Sequence, residues 1–235
     1  MNNKITIPIT RLVPGLIIGP ASWLGPYIVM NSLFLPAMLQ TLDPENQIHL
    51  AALFASMGMI VAAVSNMVAG ALSDRTHSRF GSRTPWIMFG AFCFMASMIG
   101  ASFATGIPML LACWMVGQAA LNFIVAPMIA WLDFAPEKYK GTASSAYGGL
   151  GINGFNVVGA LFLSQFRLGF IIFGVVAFIG TLIAVLIVHE PSNKDAKEAE
   201  PVDAAPKQTL SLAALRHVFP DWSTGRDYYL AFIGK

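Results

Sequence analysis

Aromatic and amide side chains recur at helical spacing within the apolar stretches of this sequence. Two triads share the i, i+4, i+8 spacing that places side chains on one face of a helix, namely Trp23, Tyr27 and Asn31, and Trp114, Gln118 and Asn122. A third apolar stretch carries Asn153 and Asn156. Rings stack on neutral, hydroxylated molecules, and amides both donate and accept hydrogen bonds. The pattern predicts a cavity for such a ligand; the alternative is that these amides join neighbouring helices within a membrane.

The composition indicates that the elements carrying these side chains lie in a membrane. Of the 235 residues, 14 are Lys or Arg and 12 are Asp or Glu, so that 11% are charged, against about 25% in a soluble domain. Hydrophobic residues make up 56%, and the mean hydropathy is +0.65. This excludes an ordinary soluble enzyme and a disordered chain, and a net charge of +2 predicts no nucleic-acid partner. Cys93 and Cys113 lie in apolar runs and are expected to be free thiols.

Six stretches reach the length of about 20 apolar residues that a helix needs to cross a bilayer. They are residues 15–39, 50–72, 85–105, 109–132, 143–164 and 168–189, and none of them contains Asp, Glu, Lys or Arg. A charge inside a span is costly to insert, which explains their absence. We therefore expect an all-α integral membrane protein with six transmembrane helices.

The distribution of Lys and Arg predicts the orientation of these spans. Of the 14 basic residues, all except Arg167 fall on the side that holds both termini. Basic residues concentrate on the cytoplasmic side of a membrane. We expect both termini in the cytoplasm and a multi-pass protein of the plasma (inner) membrane.

The sequence changes character after the sixth span. Residues 190–226 are rich in charge and proline and predict a cytoplasmic linker, solvated over residues 190–206. Within it, residues 209–219 have apolar side chains at the spacing of a short amphipathic helix. Residues 227–235 are predicted to be the start of a truncated seventh helix. The alternative is that this segment lies flat at the membrane interface.

The most specific segment is the loop between the second and third spans, residues 70–86 (GALSDRTHSRFGSRTPW). Gly70 would let another helix approach closely, Asp74 places a carboxylate at the membrane boundary, and Gly81 permits a tight turn. The basic residues of the loop are Arg75, Arg79 and Arg83. Pro85 suits the first turn of the third helix. A merely basic cytoplasmic loop would account for the arginines but not for the order Gly-x-Leu-Ser-Asp-Arg.

This segment resembles the signature loop of the major facilitator superfamily, G-x-L-x-D-R-x-G-R-R in general form. Its longer pattern, S-D-R-T-x-S-R-x-G-x-R-x-P-W, is similar to that of the glycoside–pentoside–hexuronide cation symporters and the sucrose-type carriers, although Ser82 replaces a residue that is usually basic. The segment after the fourth span (DFAPEKYKG) resembles the D-x-x-P-x-x-x-(R/K)-G loop of the same superfamily. Its matching residues are Asp133, Pro136, Lys140 and Gly141, with Glu137 between them.

The resemblance implies a larger machine than six spans. Members have twelve spans in two six-helix bundles, each a 3+3 inverted repeat, so this chain would be the N-terminal half and would need a C-terminal six-helix half or a homodimer partner. By resemblance, Asp74, Arg75 and Arg83 would join Asp133 or Glu137 in an inner charge cluster that stabilises the outward-facing state. Spans one and four would line the substrate cavity.

Three functions remain open from the sequence. The first is alternating-access transport of a small solute, a sugar or glycoside, possibly coupled to H⁺ or Na⁺. The second is a non-transporting truncated relic or accessory subunit, and the third is efflux of drugs or metabolites. The first bundle has no carboxylate or histidine inside a span, so that coupling would need groups elsewhere. Nothing in the sequence predicts an enzyme, a metal site or a cofactor.

Overall fold

The computed structural model describes residues 7–149 and 158–193. In these ranges the ordered elements are helices, and no strand occurs. They are α1 (Ile9–Val29), α2 (Leu35–Leu42), α3 (Gln47–Arg75), α4 (Thr84–Ser102), α5 (Ile107–Ile129), α6 (Lys140–Gly149) and α7 (Phe166–Val188). Five helical segments of the described chain are long and apolar enough to span a membrane: Ile9–Leu42, Gln47–Arg75, Thr84–Ser102, Ile107–Phe134 and Leu163–Val188. The all-α membrane class is therefore confirmed.

Some predicted segments lie partly or wholly outside the described residues. The predicted fifth span, 143–164, is described only at its ends, by α6 and by the turn before α7. The charged linker beyond residue 193, the amphipathic helix 209–219 and the truncated seventh helix 227–235 also lie outside them. The first span is longer than its predicted limits, because the helix already begins at Ile9 and extends to Leu42.

A single turn of π-helix, Met30–Phe34, joins α1 to α2 within the first span. Pro36, in the first turn of α2, has no N–H to donate to the residue four positions before it, so the regular α-helical ladder is interrupted here. Widened turns of this kind release a local backbone constraint and occur often at functional sites. The turn contains Asn31, the last residue of the first aromatic and amide triad.

The helices pack in a pattern that repeats. The five most extensive interfaces join α1 to α6 and α7, α5 to α3 and α4, and α4 to α7. Exchanging α1 with α5, α3 with α6, and α4 with α7 leaves this set of interfaces unchanged. The six helices thus form two groups of three, related by a pseudo-twofold exchange.

The two groups run in opposite directions. The bundle end that holds residues 76–83 and 133–139, here called the loop end, contains the start of α1 and the end of α5, since Ile7 N–H donates to Phe134 O at 3.1 Å. It also contains the end of α3 with the start of α6, and the start of α4 with the end of α7. Each helix therefore lies antiparallel to its counterpart, as in an inverted repeat.

Small residues let the helices approach each other closely. A Cβ at Gly180 of α7 would lie 2.3 Å from Ser22 Cβ of α1, and Ser22 and Thr181 share a hydrogen bond of 3.2 Å across the same interface. In lipid no hydrophobic effect drives helices together, so close packing and hydrogen bonds of this kind supply the association energy.

Substituting Gly90 tests this packing. A Cβ at Gly90 of α4 would lie 2.6 Å from Ala120 O and 3.0 Å from Ile124 N, both backbone atoms of α5 that cannot turn away. We expect Gly90→Ala to lower the free energy of unfolding by about 1–3 kcal/mol, measured by unfolding of the purified chain in detergent. Gly70→Ala is the matched control, because no described atom lies within 4 Å of the added Cβ. Equal stability of the two variants would contradict the α4–α5 packing.

Helix α3 is the most exposed span in the described chain. Only 11% of its most apolar stretch is buried, against 39% to 56% in the other four spans. Its counterpart α6 buries Ala143 and Ala146 against the bundle and exposes most of its other described side chains. The two helices that exchange with each other thus present large exposed surfaces in the described part of the bundle.

Candidate functional site

A pocket of about 190 Å³ opens between α1, α3 and α5. Four of the predicted cavity residues line it: Tyr27, Asn31, Trp114 and Gln118. The remaining lining residues all belong to α3 and are Phe54, Ala55, Gly58, Met59 and Ala62. No charged side chain is present in this described lining.

The polar groups of the pocket come from both triads. Gln118 Nε2 donates to the Tyr27 hydroxyl at 3.1 Å, which ties α5 to α1. The rings of Tyr27 and Trp114 stack at a centroid distance of 6.3 Å and an interplanar angle of 25°. Within the described part of the chain, Gln118 Oε1 accepts no hydrogen bond, and the Asn31 side-chain amide neither donates nor accepts one. These amide atoms are therefore available to a hydroxylated ligand.

The other predicted cavity residues lie elsewhere. Trp23 is buried one turn away from the pocket, and its Nε1 has no partner among residues 7–149 and 158–193. Asn122 lies one turn beyond Gln118, where its Oδ1 accepts from Asn66 Nδ2 at 3.2 Å and its Nδ2 donates to Gln118 O at 2.9 Å. The helix-joining alternative thus describes Asn122. Asn153 and Asn156 lie outside the described residues.

Sequence reasoning missed the wall that α3 contributes. Gly58 faces Gln118 directly, since a Cβ at this position would lie 3.6 Å from Gln118 Cγ. The segment around it (Phe54 to Met59) has no polar pattern that would mark a cavity. Only the lack of a side chain at Gly58, opposite an amide, could have indicated the position.

The loop end has a charge pair between the two signature loops. Arg83 Nη2 donates to Asp133 Oδ2 at 3.3 Å, and the guanidinium lies over the Phe134 ring at 4.7 Å. Arg83 Nη1 also donates to Ala130 O, at the carboxyl end of α5. A cation at this end complements the negative pole of the helix dipole. One residue thus joins the start of α4 to the end of α5.

A buried carboxylate outside the set of predicted site residues holds the first signature loop. Glu190, 6% exposed, accepts hydrogen bonds from the backbone N–H groups of Ser82, Arg83 and Thr84 at 2.8–3.2 Å and from the Thr84 hydroxyl at 3.0 Å. These are the free amides at the start of α4, where an anion is stabilised by unpaired donors and the helix dipole. Gly81 makes room for it: its φ is +87°, and a Cβ there would lie 2.2 Å from Glu190 Cδ.

The residues next to Glu190 extend this contact. Asn193 Oδ1 accepts from Ser78 N at 2.9 Å, and Asn193 Nδ2 donates to Thr76 O at 2.9 Å. Trp86 Nε1 donates to Thr76 Oγ1 at 2.7 Å from the first turn of α4. The predicted solvated linker therefore does not begin at residue 190: residues 190–193 are docked on the loop, because the amides of α4 need acceptors.

The charge cluster implied by the resemblance is smaller than expected. Asp74, Arg75 and Arg79 are exposed and form no ion pair in the described chain. Glu137 pairs with Lys140 at 2.7 Å, within the second signature loop. Pro136 precedes the helical turn that carries this pair. Gly70 and Gly141 both have open space around the position of a Cβ, so that no described helix approaches them.

These features define a class: a multi-pass membrane protein with two inverted three-helix units, a pocket between its helices, and an ion pair and a buried carboxylate that join the helix ends at the loop end. The chain belongs to the Major Facilitator Superfamily, which it matches over residues 16–234. No curated protein was found to match the chain. The members of this superfamily are transporters, which indicates a role in membrane transport for this chain.

Proposed function

We propose that the chain is the N-terminal half of a carrier that moves a sugar or glycoside across the plasma (inner) membrane by alternating access. The observation that carries the proposal is the pocket between α1, α3 and α5, where Tyr27 and Trp114 stack and two amides have unused hydrogen-bonding atoms. Aromatic faces beside amides suit a neutral ligand with many hydroxyls. The absence of charge in the described lining argues against an ionic substrate.

The proposed cycle uses the loop end as one of two gates. The Arg83–Asp133 pair and the Glu190 contacts would hold the start of α4 to the ends of α5 and α7 in one of the two states. Breaking these contacts would favour the alternative state, because partly desolvated charge pairs bias a two-state equilibrium. Ion coupling to H⁺ or Na⁺, where it operates, would depend on groups elsewhere, since the six spans predicted from the sequence carry no carboxylate.

Binding to the purified chain tests the substrate class. We expect saturable binding of at least one member of a panel of glucose, xylose, sucrose and melibiose to the chain in lipid nanodiscs, measured by equilibrium dialysis with radiolabelled sugar. Tetraphenylphosphonium is included as the probe of an efflux carrier. Saturable binding of the cation without binding of any sugar would contradict the proposal.

The free surfaces of α3 and α6 are the proposed contact with a second six-helix half, whether a separate chain or a second copy. Along α3, Ala55, Ala62, Asn66 and Gly70 keep side chains short on and beside the pocket wall, which allows another helix to approach closely. Gly70 is the sharpest marker, because no described atom occupies the space beside it.

A substitution at Gly70 separates assembly from folding. We expect Gly70→Leu to change the unfolding temperature of the purified chain by less than about 2 °C, since no described atom lies within 4 Å of a Cβ added at this position. In cells that carry the variant in the chromosomal gene for this chain, uptake of the best-bound sugar is expected to fall at least tenfold. Phe92→Leu, at a half-exposed ring on the outer surface of α4, is the control. Unchanged uptake by Gly70→Leu would argue against a partner at this surface.

A further inference from the structure

A second pocket, of about 180 Å³, lies at the loop end on the outer side of the α4–α7 interface. The loop contributes Arg79 and Phe80, the start of α4 contributes Thr84, and the end of α7 contributes the remaining lining residues, Val185, Leu186, His189 and Glu190. Phe80 is 57% exposed and Leu186 is 66% exposed, so that the apolar wall faces outward. The pocket shares Thr84 and Glu190 with the gate, and its other lining residues belong to neither the gate nor the central cavity.

The polar groups of this pocket divide into two kinds. The Glu190 carboxylate and the Thr84 hydroxyl bond each other at 3.0 Å, and the carboxylate is further occupied by the amides of α4. Arg79 and His189 are exposed, and in the described chain the Arg79 guanidinium contacts only the Phe80 ring, at 5.0 Å from its centroid. The pocket therefore offers one guanidinium and one imidazole without side-chain partners, beside apolar walls.

The backbone at His189 is held in an unusual conformation. His189 has φ +46°, and among the described residues it is the only one other than glycine with a positive φ. Its N–H donates to Val185 O at 3.0 Å and ends α7 in the left-handed turn that glycine normally supplies. Strained backbone of this kind is often retained where a side chain is required in a particular place.

We propose that this pocket binds the headgroup of an anionic phospholipid. The phosphodiester would accept hydrogen bonds from Arg79 and from the imidazole N–H of His189, which is a donor in either protonation state. The first methylenes of the acyl chains would lie on Val185, Leu186 and Phe80. The position fits this occupant, because α7 ends here, at the boundary between hydrocarbon and headgroups, and the sequence places this end at the cytoplasmic leaflet, where anionic lipids concentrate.

A soluble phosphate compound has the same charged group but no use for the apolar wall. The outward exposure of Leu186 and Phe80 favours the lipid, since these side chains would meet acyl chains in a bilayer. The lipid would join the first signature loop to the end of α7 from outside, beside the contacts that Glu190 makes from within.

Native mass spectrometry of the full chain in detergent tests the proposal with dioleoyl phosphatidylglycerol as the probe. A basic group near a membrane surface contributes about fivefold to the binding of an anionic lipid. We expect the Arg79→Ala, His189→Gly double variant to bind this lipid at least tenfold more weakly, and Arg79→Lys to retain most of the affinity. Arg11→Ala, which removes an exposed basic residue near the start of α1, is the matched control and is expected to change the affinity less than twofold.

Three further measurements make the outcome decisive. Dioleoyl phosphatidylcholine is expected to bind more weakly than phosphatidylglycerol, and glycerophosphoglycerol, which lacks acyl chains, is expected not to compete. His189→Gly relieves the left-handed strain, so the unfolding temperature of this variant should not fall, which separates lost binding from lost folding. Undiminished phosphatidylglycerol binding by the folded double variant, or equal competition by glycerophosphoglycerol, would overturn the proposal.

Discussion

Replacing Glu190 by alanine is expected to release the first signature loop from the end of α7. The carboxylate accepts hydrogen bonds from three consecutive backbone amides at the start of α4, and these amides have no other acceptor among the described residues. Leaving buried donors unpaired costs about 1–3 kcal/mol for each group, although water reaches some of them once the side chain is gone. We expect a loss of about 3–4 kcal/mol in the free energy of unfolding, and about half of this for Glu190→Gln, which keeps the acceptor oxygen but not the charge.

Limited proteolysis distinguishes local release from general unfolding. Trypsin can cut after Arg75 and Arg79, which are exposed in this loop, and we expect cleavage there to be at least tenfold faster in Glu190→Ala. Arg167 reports on the opposite end of the bundle, where its Nη1 donates to Ser102 O at 2.7 Å. Glu45→Ala is the control for loss of an exposed carboxylate. Equal acceleration of cleavage at Arg167 and at the loop would show that the whole bundle unfolds and that Glu190 does not specifically hold the loop.

The role of Glu190 could not be read from the sequence because its partners are distant and are backbone groups. Glu190 lies 108 positions from Ser82 and opens a segment rich in charge, which is typical of a solvated linker. Backbone amides leave no trace in residue types. The one available signal was Gly81, whose predicted tight turn also clears the space that the carboxylate fills.

Periodicity located the pocket but not its limits. Tyr27 and Asn31, four residues apart, line the same pocket as Trp114 and Gln118, which have the same spacing. It cannot tell where along a face the cavity ends, which depends on how neighbouring helices cross. Asn122 is the last residue of the second triad, but its side chain contacts Asn66 of α3, and this amide pair closes the space there.

The inverted repeat is visible in how the helices pack and not in the amino-acid sequence. The exchange of α1 with α5 preserves the helix interfaces, although the two sequences show no obvious similarity. Apolar helices of many sequences can satisfy the same arrangement, because lipid-facing surfaces need only be apolar and interfaces need only small or complementary side chains. Only the two signature loops, which carry charge pairs and a turn at defined positions, resist such replacement and remain readable.

Removing the Trp114 ring is expected to abolish most of the binding energy for a sugar. Trp114 is 2% exposed and supports Tyr27 from one side, so Trp114→Ala both removes one aromatic face and frees the second ring to move. Truncating a buried aromatic at the centre of a binding site costs about 2–4 kcal/mol, or roughly 30- to 1,000-fold in affinity. Gln118→Leu keeps the volume but loses the donor to Tyr27 and the free Oε1, and we expect a loss of at least tenfold.

The same equilibrium dialysis of the purified chain in nanodiscs tests whether the sugar binds in the pocket alone or along both complete triads, including Asn122. Trp131→Phe, at a buried indole outside the pocket lining, is the aromatic control and is expected to leave sugar affinity within about twofold. Asn122→Ala separates the two accounts, because a ligand that used the whole stripe would need this amide, whereas the structure commits it to Asn66. We therefore expect Asn122→Ala to lower stability and retain sugar affinity. Retained binding by Trp114→Ala, or loss of binding by Asn122→Ala in a chain that is still folded, would place the sugar outside this pocket.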